Sequence, residues 1–135
     1  TLNFEGLAGV AAAVDYLASV NEDDDQNDRK EALKKSMEHI LRYEAELTSK
    51  LLTGLLGMQN ITVYGITDLA RINERLPTVA FNYSGVRARQ VTDYLATKGI
   101  FCWSGNYYAL RLMESLGLEA TGGAVRIGAA EGATE

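Results

Sequence analysis

Arg126 is the side chain of this sequence that most directly invites a chemical reading. It stands inside the apolar segment Ala124-Val125-Arg126-Ile127-Gly128, where a permanently charged guanidinium is costly unless it finds a partner. A planar fork of this kind grips a carboxylate through two parallel hydrogen bonds. Alternation along a strand leaves a second outcome open, because every other side chain faces away from the core, toward solvent. The run Trp103-Ser104-Gly105-Asn106-Tyr107-Tyr108 is the next candidate. A strand ending in Ser-Gly-Asn, with two tyrosines at the start of the next helix, projects polar side chains into a cleft. The same run serves as a helix cap with aromatic core anchors, and sequence alone does not separate the two. Cys102, the only cysteine, falls in Ile100-Phe101-Cys102-Trp103, which reads as a strand, where a thiol is most often a small buried hydrophobe. The sequence offers it no histidine or adjacent base, so it makes a poor nucleophile. His39, the only histidine, lies in a long helix and takes no catalytic role.

These residues ride on a chain of 135 residues, enough for one domain with a core of its own and too few for a large two-domain enzyme. Hydrophobic residues make up 47% and charged residues 23%, an ordinary globular balance. The formal net charge of -5 repels phosphate backbones and argues against a nucleic-acid partner. One cysteine and one histidine build neither a disulfide framework nor a structural zinc site, so no metal is expected. No apolar run approaches the ~20 residues of a membrane span. No signal peptide precedes the first helix, and a reducing, cytoplasmic setting is expected. The chain opens at Thr1 and stops at Glu135 soon after a strand-like segment, which suggests a piece of something longer.

The elements that must position the candidates follow from periodicity. Leu7, Val10, Ala11, Val14 and Leu17 at helical spacing predict a mostly buried helix from Phe4 to Val20. The acidic run Asn21 to Asp28 lacks the sixth-position glycine and twelfth-position glutamate of a calcium loop. It reads as a solvated connector that caps the next helix at Asn27 or Asp28. Arg29 to Leu56 is a long amphipathic helix with Leu33, Met37, Ile40, Leu41, Leu47, Leu51 and Leu55 on one face, ended by Gly57. Strands are predicted at Asn60–Tyr64, Thr78–Tyr83, Ile100–Trp103 and Ala124–Gly128, with a loop carrying Arg71 and Arg75 between the first two. Helices are predicted from Arg87 to Lys98, with Val91, Tyr94 and Leu95 inward, and from Tyr107 to Leu116. The order α-α-β-β-α-β-α-β predicts an α/β (α+β) fold: a small open sheet of about four strands with helices packed on one face.

In this order, several blocks resemble the C-terminal segment of class V aminotransferase-fold enzymes, and the cysteine desulfurase group in particular. Thr1-Leu2-Asn3-Phe4-Glu5-Gly6 and the alanine-rich helix through Asp15-Tyr16-Leu17 resemble the family's Gly-Thr-x-Asn turn and the helix after it. Val63-Tyr64-Gly65, Val79-Ala80-Phe81-Asn82 and Leu95 to Ile100 follow in the family's order, and Gly122 to Gly128 resembles its closing strand with an arginine. The resemblance covers residues 1–135 and implies a C-terminal small domain, with 1–27 as an N-terminal helix and connector. It implies a mostly antiparallel sheet, as in the small domain of fold-type I pyridoxal-phosphate enzymes. It also implies pyridoxal phosphate in the full-length parent, though not bound by this chain alone. A large cofactor-binding domain of the parent chain, a homodimer and a small amino-acid substrate complete the set of partners. By the same resemblance Thr1 helps hold the cofactor phosphate and Arg126 binds the amino-acid carboxylate. The Schiff-base lysine belongs upstream, and no lysine here matches it.

Departures from the family pattern limit the chemistry. The desulfurases most like this chain carry their persulfide cysteine in Gly-His-His-Cys-Ala, and the matching stretch is Gly105-Asn106-Tyr107-Tyr108-Ala109. Tyr108 thus stands in the cysteine's place, and a phenol does not carry a persulfide. Trp103 replaces the arginine usual before that stretch, and the family's Tyr-Asn-Thr becomes Gly132-Ala133-Thr134. The expectation is an amino-acid enzyme without standard desulfurase chemistry, inactive as an isolated domain, with Arg126, Asn106 and Tyr108 facing the substrate. A non-catalytic α/β binding or interaction module that shares only the architecture is the competing expectation.

Overall fold

The computed structural model describes residues 2–21 and 28–128. Thr1, the possible cap Asn27 and Gly132-Ala133-Thr134 therefore lie outside the described residues. The chain divides into two units, Thr1–Tyr43 and Glu44–Glu135.

In the first unit, α1 (Phe4–Ser19) starts at Asn3, whose side-chain oxygen accepts from the Gly6 N–H at 2.8 Å. Such an N-cap satisfies one of the donors that a helix start leaves free. The expected burial of this helix is not found: none of its residues is buried, and Phe4, Leu7 and Val10 are 67%, 57% and 64% exposed. Spacing makes an apolar stripe, but only a packed neighbour buries it. A long helix, α2 (Arg29–Leu56), begins in this unit, with Asp28 accepting from the Lys30 N–H at 2.9 Å. Its buried stripe differs from the expected one. Met37 and Leu41 are exposed, whereas Ser36 and Thr48 are buried. Their hydroxyls are satisfied at helical carbonyls and nearby N–H groups, which removes the cost of burying them. Ser36 donates to the Ala18 carbonyl and accepts from Asn21 N, and Thr48 donates to the Glu44 carbonyl.

The second unit holds the sheet. Strands β1 (Ile61–Tyr64), β2 (Thr78–Tyr83), β3 (Trp103–Gly105) and β4 (Ala124–Gly128) lie in the order β1-β2-β4-β3, every pair antiparallel. This is the open, four-stranded, helix-covered sheet that the pattern predicts. Its core joins Leu52 and Leu55 of α2, Ala88 of α3 (Ala88–Ala96), and Val79, Phe81 and Val125 of the central strands. Period-two alternation therefore sends Val63, Val79, Phe81, Val125 and Ile127 to the helix-covered face. The opposite face receives Thr62, Tyr64, Ala80, Asn82 and Arg126. Register fixes its layout, with Ala80, Arg126 and Trp103 side by side across three strands.

Several boundaries move. β3 runs Trp103–Gly105 rather than Ile100–Trp103, because its pairing with β4 begins at Trp103↔Arg126; Phe101 is left 84% exposed. α3 is shorter than expected. It turns Thr92 inward, where its hydroxyl lies 3.2 Å from that of Ser104, and leaves Tyr94 exposed. The last helix, α4 (Leu110–Ser115), starts three residues late because Tyr107 and Tyr108 take left-handed φ values of 54° and 60°. A 3-10 helix at Leu69–Glu74, capped by Asp68, occupies the expected loop. Another short one spans Glu119–Thr121. Among the described residues, no helix is long and apolar enough to cross a membrane.

Candidate functional site

Arg126 lies on the face of β4 opposite the core, and it is exposed. The buried, partner-demanding guanidinium is therefore corrected to the alternation outcome: period two turns Val125 and Ile127 inward and Arg126 outward. It is not left to water alone. Its guanidinium carbon sits 4.3 Å from the centroid of the Tyr107 ring, a cation–π distance. Among the described residues Arg126 makes no ion pair.

The turn between β3 and α4 places that ring. The Tyr107 hydroxyl is within donating distance of two carbonyls, Trp103 O at 2.7 Å and Ala124 O at 3.0 Å, and so spans β3 and β4. Asn106 holds the turn: its Oδ1 accepts from Tyr108 N at 3.2 Å and its carbonyl from Ala109 N at 2.8 Å. The Asn106 carboxamide is thus engaged in its own loop, with its Nδ2 3.5 Å from Glu119 Oε1. Tyr108 projects fully into solvent. A groove of about 390 Å³ runs along this turn, lined by Trp103, Asn106, Tyr107, Tyr108 and Arg126. The structure so brings together three of the residues expected to face a substrate.

Cys102 precedes β3 rather than lying in it, and burial pushes its thiol above the ordinary range. A thiol shifted that way is a weaker nucleophile at neutral pH. Burial likewise pushes the Tyr107 phenol up, opposed by the positive charge of Arg126. Among the described residues no group of three or more His, Cys, Asp or Glu side chains is gathered to hold a metal. None of the lysines lines the Arg126 groove.

Two contributors escape sequence reasoning. Tyr107 looks no different from Tyr108 in a linear reading, yet one ring is fixed and the other is free. Gly123 was visible only as half of a Gly-Gly pair. It has φ 81°, and a Cβ on it would meet the Gly105 carbonyl oxygen at 2.1 Å. A second groove, of about 350 Å³, includes Thr62, Tyr64, Asn82, Arg87 and Thr121 in its lining. Asn82 donates to the Gly123 carbonyl at 3.0 Å, and its Oδ1 is buried with no partner among the described residues.

A family model described as aminotransferase class-V matches residues 1–135. An uncharacterized protein of Mycobacterium tuberculosis (strain CDC 1551 / Oshkosh) is 30% identical over 95% of this chain and 30% of its own length. The cysteine desulfurase of Pectobacterium atrosepticum is 29% identical over 86% of this chain and 23% of its own. The apo structure of a cysteine desulfurase from Thermococcus onnurineus NA1 superposes with a TM-score of 0.61 at 26% identity, covering 76% of this chain and 24% of that one. The chain spans less than a third of the length of each of these relatives.

Proposed function

The chain belongs to the aminotransferase class-V family, and within that family we propose that it is the C-terminal small domain of a pyridoxal-phosphate enzyme with cysteine desulfurase-like architecture. In this reading α1, Phe4–Ser19, is the leading helix of that domain. In this reading Arg126 grips the carboxylate of a small amino-acid substrate. The observation that carries it is the guanidinium of Arg126 stacked on Tyr107 at 4.3 Å, with no ion pair among the described residues, beside an open groove. A fork without an ion-pair partner among the described residues is suited to a planar anion.

Pyridoxal phosphate supplies the electron sink in such enzymes. The described residues do not fit the task of holding it unaided. Its aldehyde needs an amine, and no lysine lines the groove. The isolated chain is accordingly inactive, and its residues bind and orient a carboxylate. The large cofactor-binding domain of the parent chain is its partner, in a homodimer. The single free cysteine favours a reducing, cytoplasmic compartment. Tyr108 occupies the place of the family cysteine, so persulfide formation is not its chemistry. Its free phenol remains available to a substrate, whereas Asn106 must first leave its turn.

The test is made in the full-length parent. Arg126→Gln should raise KM for the preferred amino acid by about 10- to 100-fold, the worth of hydrogen bonds to a charged group. Tyr108→Phe should alter turnover with little change in KM. An unchanged KM in the Arg126 variant would overturn the reading.

A further inference from the structure

An exposed arginine is a poor carboxylate clamp unless something restrains it, because its long side chain samples many rotamers in water. Here the guanidinium sits over the Tyr107 ring, its central carbon 4.3 Å from the centroid. Guanidinium donors all point outward in its plane. A guanidinium held flat on such a ring is restrained while its donor edge stays open to a bidentate partner.

The ring is itself held. Its hydroxyl reaches the Trp103 and Ala124 carbonyls on neighbouring strands. Its backbone, like that of Tyr108, sits in the left-handed region at φ 54° and 60°. Two successive non-glycine residues there are costly and persist only where surrounding contacts enforce them. The Asn106 turn supplies those contacts through Tyr108 N and Ala109 N. Trp103, opposite Arg126 in register, contributes its carbonyl to the same anchor.

We propose that Tyr107 is the positioning residue of this site: its anchored ring braces the face of Arg126 so that the guanidinium edge meets a carboxylate in one orientation. The proposal rests on the reading of Arg126 as the carboxylate-binding group. Tyr107 touches no reacting atom in this role; it acts through Arg126.

The test uses the 135-residue chain and follows the Arg126 Nε–H signal by nuclear magnetic resonance, assigned by its loss in Arg126→Gln. Without ligand, the aromatic ring should shift this signal upfield in the native chain and in Tyr107→Phe, but not in Tyr107→Leu. N-acetylglycine, a carboxylate without a free amine, is then titrated. The initial slope of the Arg126 response should fall about two- to fivefold in Tyr107→Leu, as expected for loss of an exposed cation–π contact. Tyr107→Phe should keep more than half of the native slope. A Leu variant that responds like the native chain overturns the proposal. If that variant does not fold, Tyr107→Phe decides: a native slope kept after the upfield shift is lost, or a slope lost while the shift is kept, overturns it. A native chain with a ring-shifted signal but no response to N-acetylglycine shows that the carboxylate reading has failed, and the positioning role falls with it. A native response with an unaltered Leu variant removes the positioning role alone.

Discussion

Gly123 and Gly105 approach one another so closely where β4 begins and β3 ends that a Cβ on Gly123 would lie 2.1 Å from the Gly105 carbonyl oxygen. Gly123 also holds φ 81°, a region that L side chains avoid. The Tyr107 hydroxyl bridges the same two strands through the Trp103 and Ala124 carbonyls. Gly123→Ala combines left-handed strain, about 1–2 kcal/mol, with overpacking against backbone, about 1–3 kcal/mol. Urea unfolding should show a loss of roughly 2–5 kcal/mol. A midpoint unchanged from the native chain would refute the close approach.

Arg75 illustrates a charged residue used for architecture. Its guanidinium donates to the carbonyls of Ile66, Leu76 and Thr78, and so staples the 3-10 segment to the start of β2. Arg75→Ala should destabilise by about 1–3 kcal/mol, since carbonyls bonded to a cation lose their donors. Arg75→Lys should recover less than half, because one ammonium cannot reach three carbonyls arranged around a planar fork. Equal stability of the Lys variant and the native chain would show that charge alone suffices. The comparison is made by chemical denaturation.

Sequence legibility tracked the kind of physics involved. Thr78–Tyr83, Ala124–Gly128 and Arg29–Leu56 were readable to the residue because unbroken hydrophobic periodicity marks them. β3 departs from Ile100–Trp103 because strand propensity marks Ile100 and Phe101, whereas pairing with Arg126 decides the register. The start of α4 is not legible, because nothing in two tyrosines announces positive φ values. Helical spacing in α1 was correct and its burial was not, since spacing does not report what covers a face. At the site, Arg126 was conspicuous as a charge among apolar neighbours. Tyr107 was not, because its value lies in a hydroxyl bridging two strands that are distant in sequence from each other.

The exposed stripe of α1 gives a separate expectation. Phe4, Leu7 and Val10 are each more than half exposed, as is Leu2 just before the helix, and such surface binds apolar dyes. The chain should enhance the fluorescence of anilinonaphthalene sulfonate. The pair Leu7→Lys and Val10→Glu should reduce that signal, with stability changed by no more than about 0.5 kcal/mol, as for surface substitutions. An undiminished signal would place the dye site elsewhere, and a large loss of stability would show that these side chains are packed.

The pH response of Cys102 follows from its surroundings. Burial disfavours the thiolate and raises the thiol above its ordinary range. The fold therefore favours the neutral form. This contribution to stability is fully present below the unfolded thiol's pKa and is lost as pH rises through the higher folded value. Two consequences can be measured. At about pH 8, near the ordinary thiol pKa, iodoacetamide should modify Cys102 several-fold more slowly than a free cysteine, because only the thiolate attacks. Across the alkaline range, the native chain should lose stability relative to Cys102→Ala, whose side chain does not titrate. A modification rate equal to that of free cysteine, with parallel stability profiles for the two proteins, would mean that the thiol is not shielded from water.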